Sequence, residues 1–197
     1  MKCTGVKKPD KLWCGPMRNR GATLELVNAD ITTLNVEAIV NAANSSLMGG
    51  GGVDGAIHHA AGPQLLEACQ EIRCTQYPDG LPVGQAVATP GFNLPASFVI
   101  HTVGPNRYAG QSDPELLRQC FISSLSLADS LHVESVAFPA ISAGVYGWDG
   151  EQVATIGLSA ISDYLKKGGS GLERVVCCLF GPRSLHVWRH VRQQLTN

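Results

Sequence analysis

Hydrophobic residues fall into two alternating patterns from Ala22 onward. Six short runs are almost continuously apolar, which is typical of strands that are covered on both faces. The segments between them repeat apolar residues every three or four positions, which is typical of helices with one buried face. The strands are predicted at residues 23–27, 37–41, 85–89, 97–103, 135–140 and 173–180.

Five helices are predicted between and after these strands. The first covers residues 56–61 and the second passes through 65–72. The third starts at Pro114, with Ser112 or Asp113 as its cap, and the fourth covers 151–167. The fifth starts at Pro182. The apolar stripes of the second to fifth helices, in chain order, are Leu65, Leu66, Cys69 and Ile72; Leu117, Phe121, Leu125, Ala128 and Leu131; Val153, Ile156, Ala160, Ile161 and Tyr164; and Leu185, Trp188, Val191 and Leu195.

Alternating strands and helices predict a three-layer α/β domain over residues 21–197, with a mostly parallel sheet. In such sheets ligands bind beyond the carboxyl ends of the strands, where loops lead into helices. No segment is predicted to cross a membrane, because the longest stretch without Asp, Glu, Lys or Arg, residues 80–106, contains four prolines.

Charge is distributed unevenly along the chain. Residues 1–20, the basic head, carry six Lys or Arg residues and one Asp, so the remaining residues have a net charge of −6. A body that acidic lacks the positive surface of a nucleic-acid-binding protein. The basic head is interpreted as a flexible tail or a remnant of cloning, because its basic residues lack the spacing of an amphipathic presequence.

The seven cysteines show neither a zinc-binding spacing nor the framework of a secreted disulfide-rich protein. Reduced, mostly buried thiols are predicted, with Cys177 and Cys178 on opposite faces of one strand. This favours an intracellular protein, cytoplasmic first, with a nuclear or mitochondrial location left open. A monomer without metal or cofactor is expected.

Two loops rich in small residues join predicted strands to helices. The first loop (residues 41–58) contains four consecutive glycines and Asp54, and the second loop (residues 139–148) contains Gly144 and Gly147. Glycine lets a backbone turn with positive φ or lie directly against a ligand. Amides exposed in this way can surround an anion near the positive end of a helix.

The first loop also spells G-x-G-x-x-G at Gly50, Gly52 and Gly55, with Glu71 further on, as in a dinucleotide-binding oxidoreductase. Four consecutive glycines satisfy many patterns, and seven residues separate the strand from them. The turn of a dinucleotide-binding fold is tight, so the oxidoreductase interpretation is disfavoured.

Several motifs in one order are more specific than either loop. Together they resemble a macrodomain of the MacroD-type ADP-ribosyl hydrolases, over about residues 22–195. The motifs are Asn28-Ala29-Asp30-Ile31-Thr32, Asn41-Ala42-Ala43-Asn44, residues 49–54, Leu94-Pro95, Ile100-His101-Thr102-Val103-Gly104-Pro105 and residues 142–147.

The resemblance implies a six- or seven-stranded mixed sheet and a role for each motif. Asp30 would accept the adenine amino group with support from the Ile31 amide, and Phe180 would pack on the adenine. The diphosphate would be held by backbone amides of Ser142, Ala143, Gly144, Val145 and Tyr146. Gly51, Gly52, Val53 and Asp54 would approach the distal ribose, which Asn44 would orient.

The implied reaction is hydrolysis of ADP-ribose esters: mono-ADP-ribose on Asp or Glu side chains of proteins, and O-acetyl-ADP-ribose. Asp54 would orient or deprotonate the attacking water, although a substrate phosphate could take the proton instead. The alternative function is that of a non-catalytic ADP-ribose reader, which has no need of Asp54 with Asn44.

Each candidate also has a structural interpretation. Asp54 could cap the following helix, and Asp30 could cap the turn at residues 31–34. Phe180 and His101 could belong to the core, while His58 is a candidate supporting residue behind Asp54. Tyr146 is interpreted as a lid over the ligand. Trp148 is a candidate for the rim of the site, and Asn41 for an ordinary loop residue.

Overall fold

The computed structural model describes residues 21–196, and the basic head lies outside them. Six strands form one sheet: β1 (Thr23–Asn28), β2 (Ala38–Ala43), β3 (Ala86–Pro90), β4 (Phe98–Val103), β5 (Ser135–Phe138) and β6 (Arg174–Leu179). Five helices accompany them: α1 (Gly52–Ala61), α2 (Pro63–Thr75), α3 (Pro114–Ser130), α4 (Gly150–Lys167) and α5 (Pro182–Thr196). The predicted strands and helices are therefore all confirmed, with shifted ends.

The sheet is mixed, as expected. Its strand order is β1-β6-β5-β2-β4-β3, and every neighbouring pair is parallel except β3 with β4. The carboxyl ends of five strands consequently meet at one edge of the sheet, where the two loops were predicted to lie.

Helices cover both faces, which explains why the strands are apolar throughout. One core cluster contains residues of α3, α4 and α5, and the others contain residues of α1 and α2. Cys177 faces the first cluster and Cys178 the second, so the prediction of opposite faces is confirmed. The five described cysteines are free, and all but Cys74 are buried.

Two predictions about helices are wrong. Helix α1 begins at Gly52, not at residue 56, because the last glycines of the first loop take helical conformation instead of preceding it. Leu195 is 42% exposed, because α5 extends beyond the body that its residues Trp188 and Val191 pack against. None of the helices within residues 21–196 has both the length and the apolar character needed to cross a bilayer.

Candidate functional site

The carboxyl edge of the sheet collects most of the predicted site residues. Following the strand order, Asp30 comes after β1, Phe180 after β6, the second loop after β5 and the first loop after β2. Gly104 follows β4. Residues 150 positions apart in sequence therefore form one row across the sheet.

Asp54 lies in the first turn of α1 and is only 4% exposed. Its Oδ1 accepts a hydrogen bond from Asn41 Nδ2 at 2.7 Å, and His58 Nε2 lies 3.5 Å from the same oxygen. The helix is capped by Gly51 without any side-chain hydrogen bond. The capping interpretation of Asp54 is therefore wrong, since its carboxylate faces β2 and not its own backbone.

A chain of buried polar side chains continues behind Asp54. Asn41 and His101 are register partners on β2 and β4, and Asn41 Nδ2 lies 3.1 Å from His101 Nδ1. His101 Nε2 in turn lies 2.9 Å from Thr89 Oγ1 and 3.8 Å from Cys69 Sγ. His101 is fully buried, so its assignment to the core is confirmed, but it belongs to a polar chain inside that core.

The protonation of these groups follows from their burial. Loss of hydration raises the pKa of Asp54, and the hydrogen bond from Asn41 and the nearby His58 oppose this effect without cancelling it. Burial, with a smaller contribution from His58, lowers the pKa of His101 to about 3. Burial also raises the pKa of Cys69 to about 12. At neutral pH His101 is therefore an uncharged imidazole and Cys69 a thiol.

Asn44 stands beside Asp54 at the start of the first loop. A Cβ on Gly50 would lie 3.1 Å from Asp54 Oδ2 and 3.4 Å from Asn44 Nδ2, so Gly50 sits between the two side chains. Asn44 Nδ2 donates to the Gly49 carbonyl at 2.9 Å, and its Oδ1 accepts from the Ser46 amide. Asn44 therefore shapes the loop, and its role toward a ribose stays a prediction.

The glycines of the first loop expose backbone amides. Gly49 and Gly52 have positive φ of 79° and 62°, and within residues 21–196 the amides of residues 49–52 donate no hydrogen bond. Gly55 cannot be larger, because a Cβ there would meet the Gly50 carbonyl oxygen at 2.5 Å. The loop thus folds tightly against α1 and presents the free N–H groups of the helix start.

The second loop presents a comparable set of donors. Among the described residues the amides of Ser142, Gly144, Val145 and Tyr146 have no hydrogen-bond partner, whereas the Ala143 amide donates to the Ala140 carbonyl at 3.3 Å. Ser142 has a φ of 64°, and its buried Oγ also lacks a partner in this part of the chain. Four of the five predicted amides are consequently free to bind an anion.

Two aromatic residues of the second loop differ in environment. Tyr146 is half-buried, and burial together with the charge of Asp54 raises the pKa of its phenol, so the ring lies within electrostatic range of Asp54. Trp148 is only 4% exposed and belongs to the core, with the Arg107 guanidinium 4.5 Å from its ring centroid. The prediction that Trp148 forms the rim is wrong, because its side chain packs inward.

The ends of β1 and β6 form a more exposed part of the edge. Asp30 caps a short 3₁₀ helix (Ile31–Thr33) by accepting from the Thr32 amide at 2.9 Å, so its capping interpretation is confirmed. Ile31 is buried. Phe180 is 89% exposed, so its assignment to the core is wrong and it is available as a platform for an aromatic ring.

Sequence reasoning underestimated Asn41, which it treated as a loop residue. Asn41 is fully buried and holds the carboxylate of Asp54. The available signal was a polar residue inside the otherwise apolar strand β2, paired in parallel register with the equally unusual His101 of β4. Among residues 21–196 no cluster of His, Cys, Asp or Glu could hold a metal ion.

Comparisons with known proteins agree with this arrangement. A family model described as the Macro domain matches residues 40–157. The chain is 52% identical over 145 residues to an O-acetyl-ADP-ribose deacetylase of Escherichia fergusonii, covering 73% of this chain and 81% of that protein. It is 46% identical over 159 residues to an ADP-ribose glycohydrolase of Homo sapiens, covering 80% of this chain and 36% of that protein.

A solved structure gives the same result for the fold. The Oceanobacillus iheyensis macrodomain with ADP has a TM-score of 0.84 and 43% identity to this chain. The match covers 90% of this chain and 94% of that one.

Proposed function

Since this chain belongs to the macrodomain family, we propose that it is a hydrolase that binds ADP-ribose and cleaves esters of its distal ribose. The substrates are mono-ADP-ribose on Asp or Glu side chains of proteins and O-acetyl-ADP-ribose. A relative named as an O-acetyl-ADP-ribose deacetylase supports the second substrate, and one named as an ADP-ribose glycohydrolase supports hydrolysis of an ADP-ribose compound.

The observation that carries the proposal is the buried carboxylate of Asp54 beside two loops of unbonded amides. A module that only binds ADP-ribose has no need to bury a negative charge at the cost of its hydration. A hydrolase uses such a group, because a carboxylate with a raised pKa accepts a proton more readily than an exposed one.

The ligand is proposed to lie along the carboxyl edge of the sheet. Its adenine would contact Asp30 and Phe180, and its diphosphate the free amides of the second loop. Hydrogen bonds from amides to charged oxygens contribute about 1.5–3 kcal/mol each, so four of them hold a diphosphate without Lys or Arg. The distal ribose would then reach Asn44 and Asp54.

Hydrolysis adds water across the ester bond. The water oxygen bonds to the carbon whose C–O ester bond breaks, and the products are ADP-ribose and a carboxylic acid. Asp54 orients the water, accepts its proton and returns a proton to the departing oxygen, while the alternative acceptor is a phosphate of the substrate. The mechanism needs no metal or cofactor.

The direct test incubates the protein with a target that carries ADP-ribose on glutamate or aspartate, and separately with O-acetyl-ADP-ribose. Release of ADP-ribose and of acetate is measured by mass spectrometry, alongside calorimetric binding of free ADP-ribose. Binding together with release supports the hydrolase. Binding without release from either substrate would make the protein a reader.

We expect the activity to fall at acidic pH. Asp54 accepts a proton only when ionised, so kcat/KM rises as the pH rises through its pKa and then reaches a plateau. Because burial raises the pKa of Asp54, this rise occurs at a higher pH than for an ordinary aspartate. A profile from about pH 4 to about pH 8 checks this, and a flat profile would contradict it.

We expect Phe180→Ala to weaken binding without affecting folding. Stacking of a base on an aromatic ring is worth about 1–3 kcal/mol, which corresponds to a loss of about five- to 150-fold in affinity. Since Phe180 is 89% exposed, the melting temperature stays unchanged. Calorimetry with ADP-ribose measures the effect.

The matched control is Leu195→Ala, which removes another exposed apolar side chain from the far end of α5. It is expected to bind ADP-ribose like the wild type. Equal affinities of the Phe180 variant and the wild type would remove Phe180 from the adenine site.

A further inference from the structure

The buried chain behind Asp54 is not used by the proposed mechanism, and His101 lies at its centre. His101 is on β4, and its described hydrogen bonds go to neither of the two loops whose amides are free. Its two ring nitrogens nevertheless face two specific partners, Asn41 on β2 and Thr89 on β3. An imidazole that is completely enclosed and bonded at both nitrogens has a defined tautomer, which can be worked out from its neighbours.

The assignment starts at Asp54. An ionised carboxylate only accepts hydrogen bonds, so the Asn41 atom 2.7 Å from it must be the amide nitrogen. The same nitrogen lies 3.1 Å from His101 Nδ1 and carries a second proton. His101 Nδ1 must therefore be the unprotonated acceptor. The remaining ring proton is on Nε2, from which it is donated to Thr89 Oγ1 at 2.9 Å.

The opposite orientation of the Asn41 amide is disfavoured. It would point an oxygen at the Asp54 carboxylate, which has no proton to share, and would turn both N–H bonds away from Asp54 Oδ1 and His101 Nδ1. In the observed orientation only Asn41 Oδ1 lacks a partner within this part of the chain. His101 Nδ1 accepts the second N–H of this amide and thereby adds to the preference for the orientation that donates to the carboxylate.

We infer that His101 is a positioning residue, which acts through Asn41 to hold Asp54 ionised and correctly oriented toward the substrate. This inference rests on the proposed hydrolase function for its kinetic part only. Thr89 completes the device, because its hydroxyl oxygen accepts the proton of Nε2. An uncharged imidazole is required for this role, which agrees with the low pKa of His101.

Other titratable groups also face these residues. His58 on α1 lies 3.5 Å from Asp54 and its ring centroid 6.4 Å from that of His101, while Cys69 on α2 and Tyr146 of the second loop sense the charge of Asp54. None of them contacts Asn41 among the described hydrogen bonds. The hydrogen-bonded route from His101 to Asp54 therefore runs through the Asn41 amide.

The experiment compares His101→Leu with His101→Asn. Leucine offers no acceptor, whereas the oxygen of asparagine is as many bonds from Cα as imidazole Nδ1 and can replace it. For His101→Leu we expect the acidic limb of kcat/KM to move up by about one to two pH units, because the Asn41 amide, no longer held at its second N–H, stabilises the charged carboxylate less well. At neutral pH kcat falls by about tenfold or more, and ADP-ribose affinity is unchanged. His101→Asn is expected to return both the acidic limb of kcat/KM and the kcat at neutral pH most of the way to the wild-type values.

A second variant avoids changing the ring. Thr89→Val removes the acceptor of the Nε2 proton, and the acidic limb is expected to move in the same direction. Its matched control is Thr102→Val, which deletes another buried threonine hydroxyl, on β4, that bonds the Gln85 carbonyl instead. The control is expected to keep the wild-type pH profile. A purely structural effect would alter the melting temperatures of Thr89→Val and Thr102→Val and leave the acidic limb of kcat/KM unmoved in both.

Nuclear magnetic resonance of the wild type makes the inference testable even if a variant does not fold or no hydrolysis is found. Nitrogen spectra should show His101 as the neutral Nε2–H tautomer throughout the range in which the carbon signal of the Asp54 carboxyl titrates. An Nδ1–H tautomer, or a His101 that becomes protonated together with Asp54, would overturn the inference. An unchanged titration of Asp54 in a folded His101→Leu protein would also overturn the inference.

Discussion

Replacing Asp54 with asparagine is expected to slow ester hydrolysis by about a hundredfold to ten-thousandfold, the usual contribution of a positioned general base. Asparagine has the shape of aspartate but cannot accept the proton of the attacking water. The new amide also faces Asn41 Nδ2, which in the wild-type protein donates to the Asp54 carboxylate at 2.7 Å. The affinity for ADP-ribose should change little, since the free amides of the two loops remain.

Single-turnover release of ADP-ribose from a glutamate-modified protein measures the rate of hydrolysis, and calorimetry measures the affinity for ADP-ribose. The matched control is Glu67→Gln, which removes one negative charge from an exposed position on α2 and should leave both values unchanged. If Asp54→Asn turns over at the wild-type rate, the proton goes to a substrate phosphate and Asp54 is not the base.

The second large effect is expected from Gly104→Ala, which should weaken ADP-ribose binding by about ten- to a hundredfold. A Cβ at Gly104 would lie 2.1 Å from Ser142 Oγ and 2.8 Å from Ile141 Cγ2, so the second loop has to move. Ser142 already has a positive φ of 64° and cannot relax easily. Loss of one amide bond to a diphosphate oxygen accounts for the expected change.

Since only binding is affected, KM should rise while kcat at saturation stays close to that of the wild type. Gly171→Ala is the control, because a Cβ there meets nothing within 4 Å and its φ is not positive. Both variants are first checked for a folded state by circular dichroism, since the clash at Gly104 is expected to lower the melting temperature of that variant. Wild-type affinity in the Gly104 variant would show that the amides of the second loop do not hold the diphosphate.

Much of the fold could be predicted from the sequence because its strands are covered on both faces. Near-continuous apolar runs located all six strands, and the stripe through Phe121 and Leu125 located α3. The errors occurred where a local pattern does not determine conformation. Consecutive glycines are compatible with a loop or with the first turn of a helix, and α1 therefore began four residues before its predicted start.

The sequence was enough to predict the two loops of the site, but not the surroundings of the side chains in it. The free amides follow from small residues after strands, but the environment of an aromatic side chain does not. Trp148 and Phe180 both adjoin turns, and the first is buried while the second is exposed. The partners of Asp54 depend on strand register, since Asn41 and His101 are 60 residues apart and meet only because β2 and β4 pair in parallel.

The position of β6 in the sheet has a consequence for biosynthesis. Strand β6 lies between β1 and β5, so β1 has no neighbour in the described sheet until β6 has been synthesised. Pairing over such a separation in sequence closes late during folding. Nascent chains that already contain Asp54 and both loops would still lack the edge that carries Asp30 and Phe180, and the proposed contacts with a nucleotide base could form only after β6 has left the ribosome.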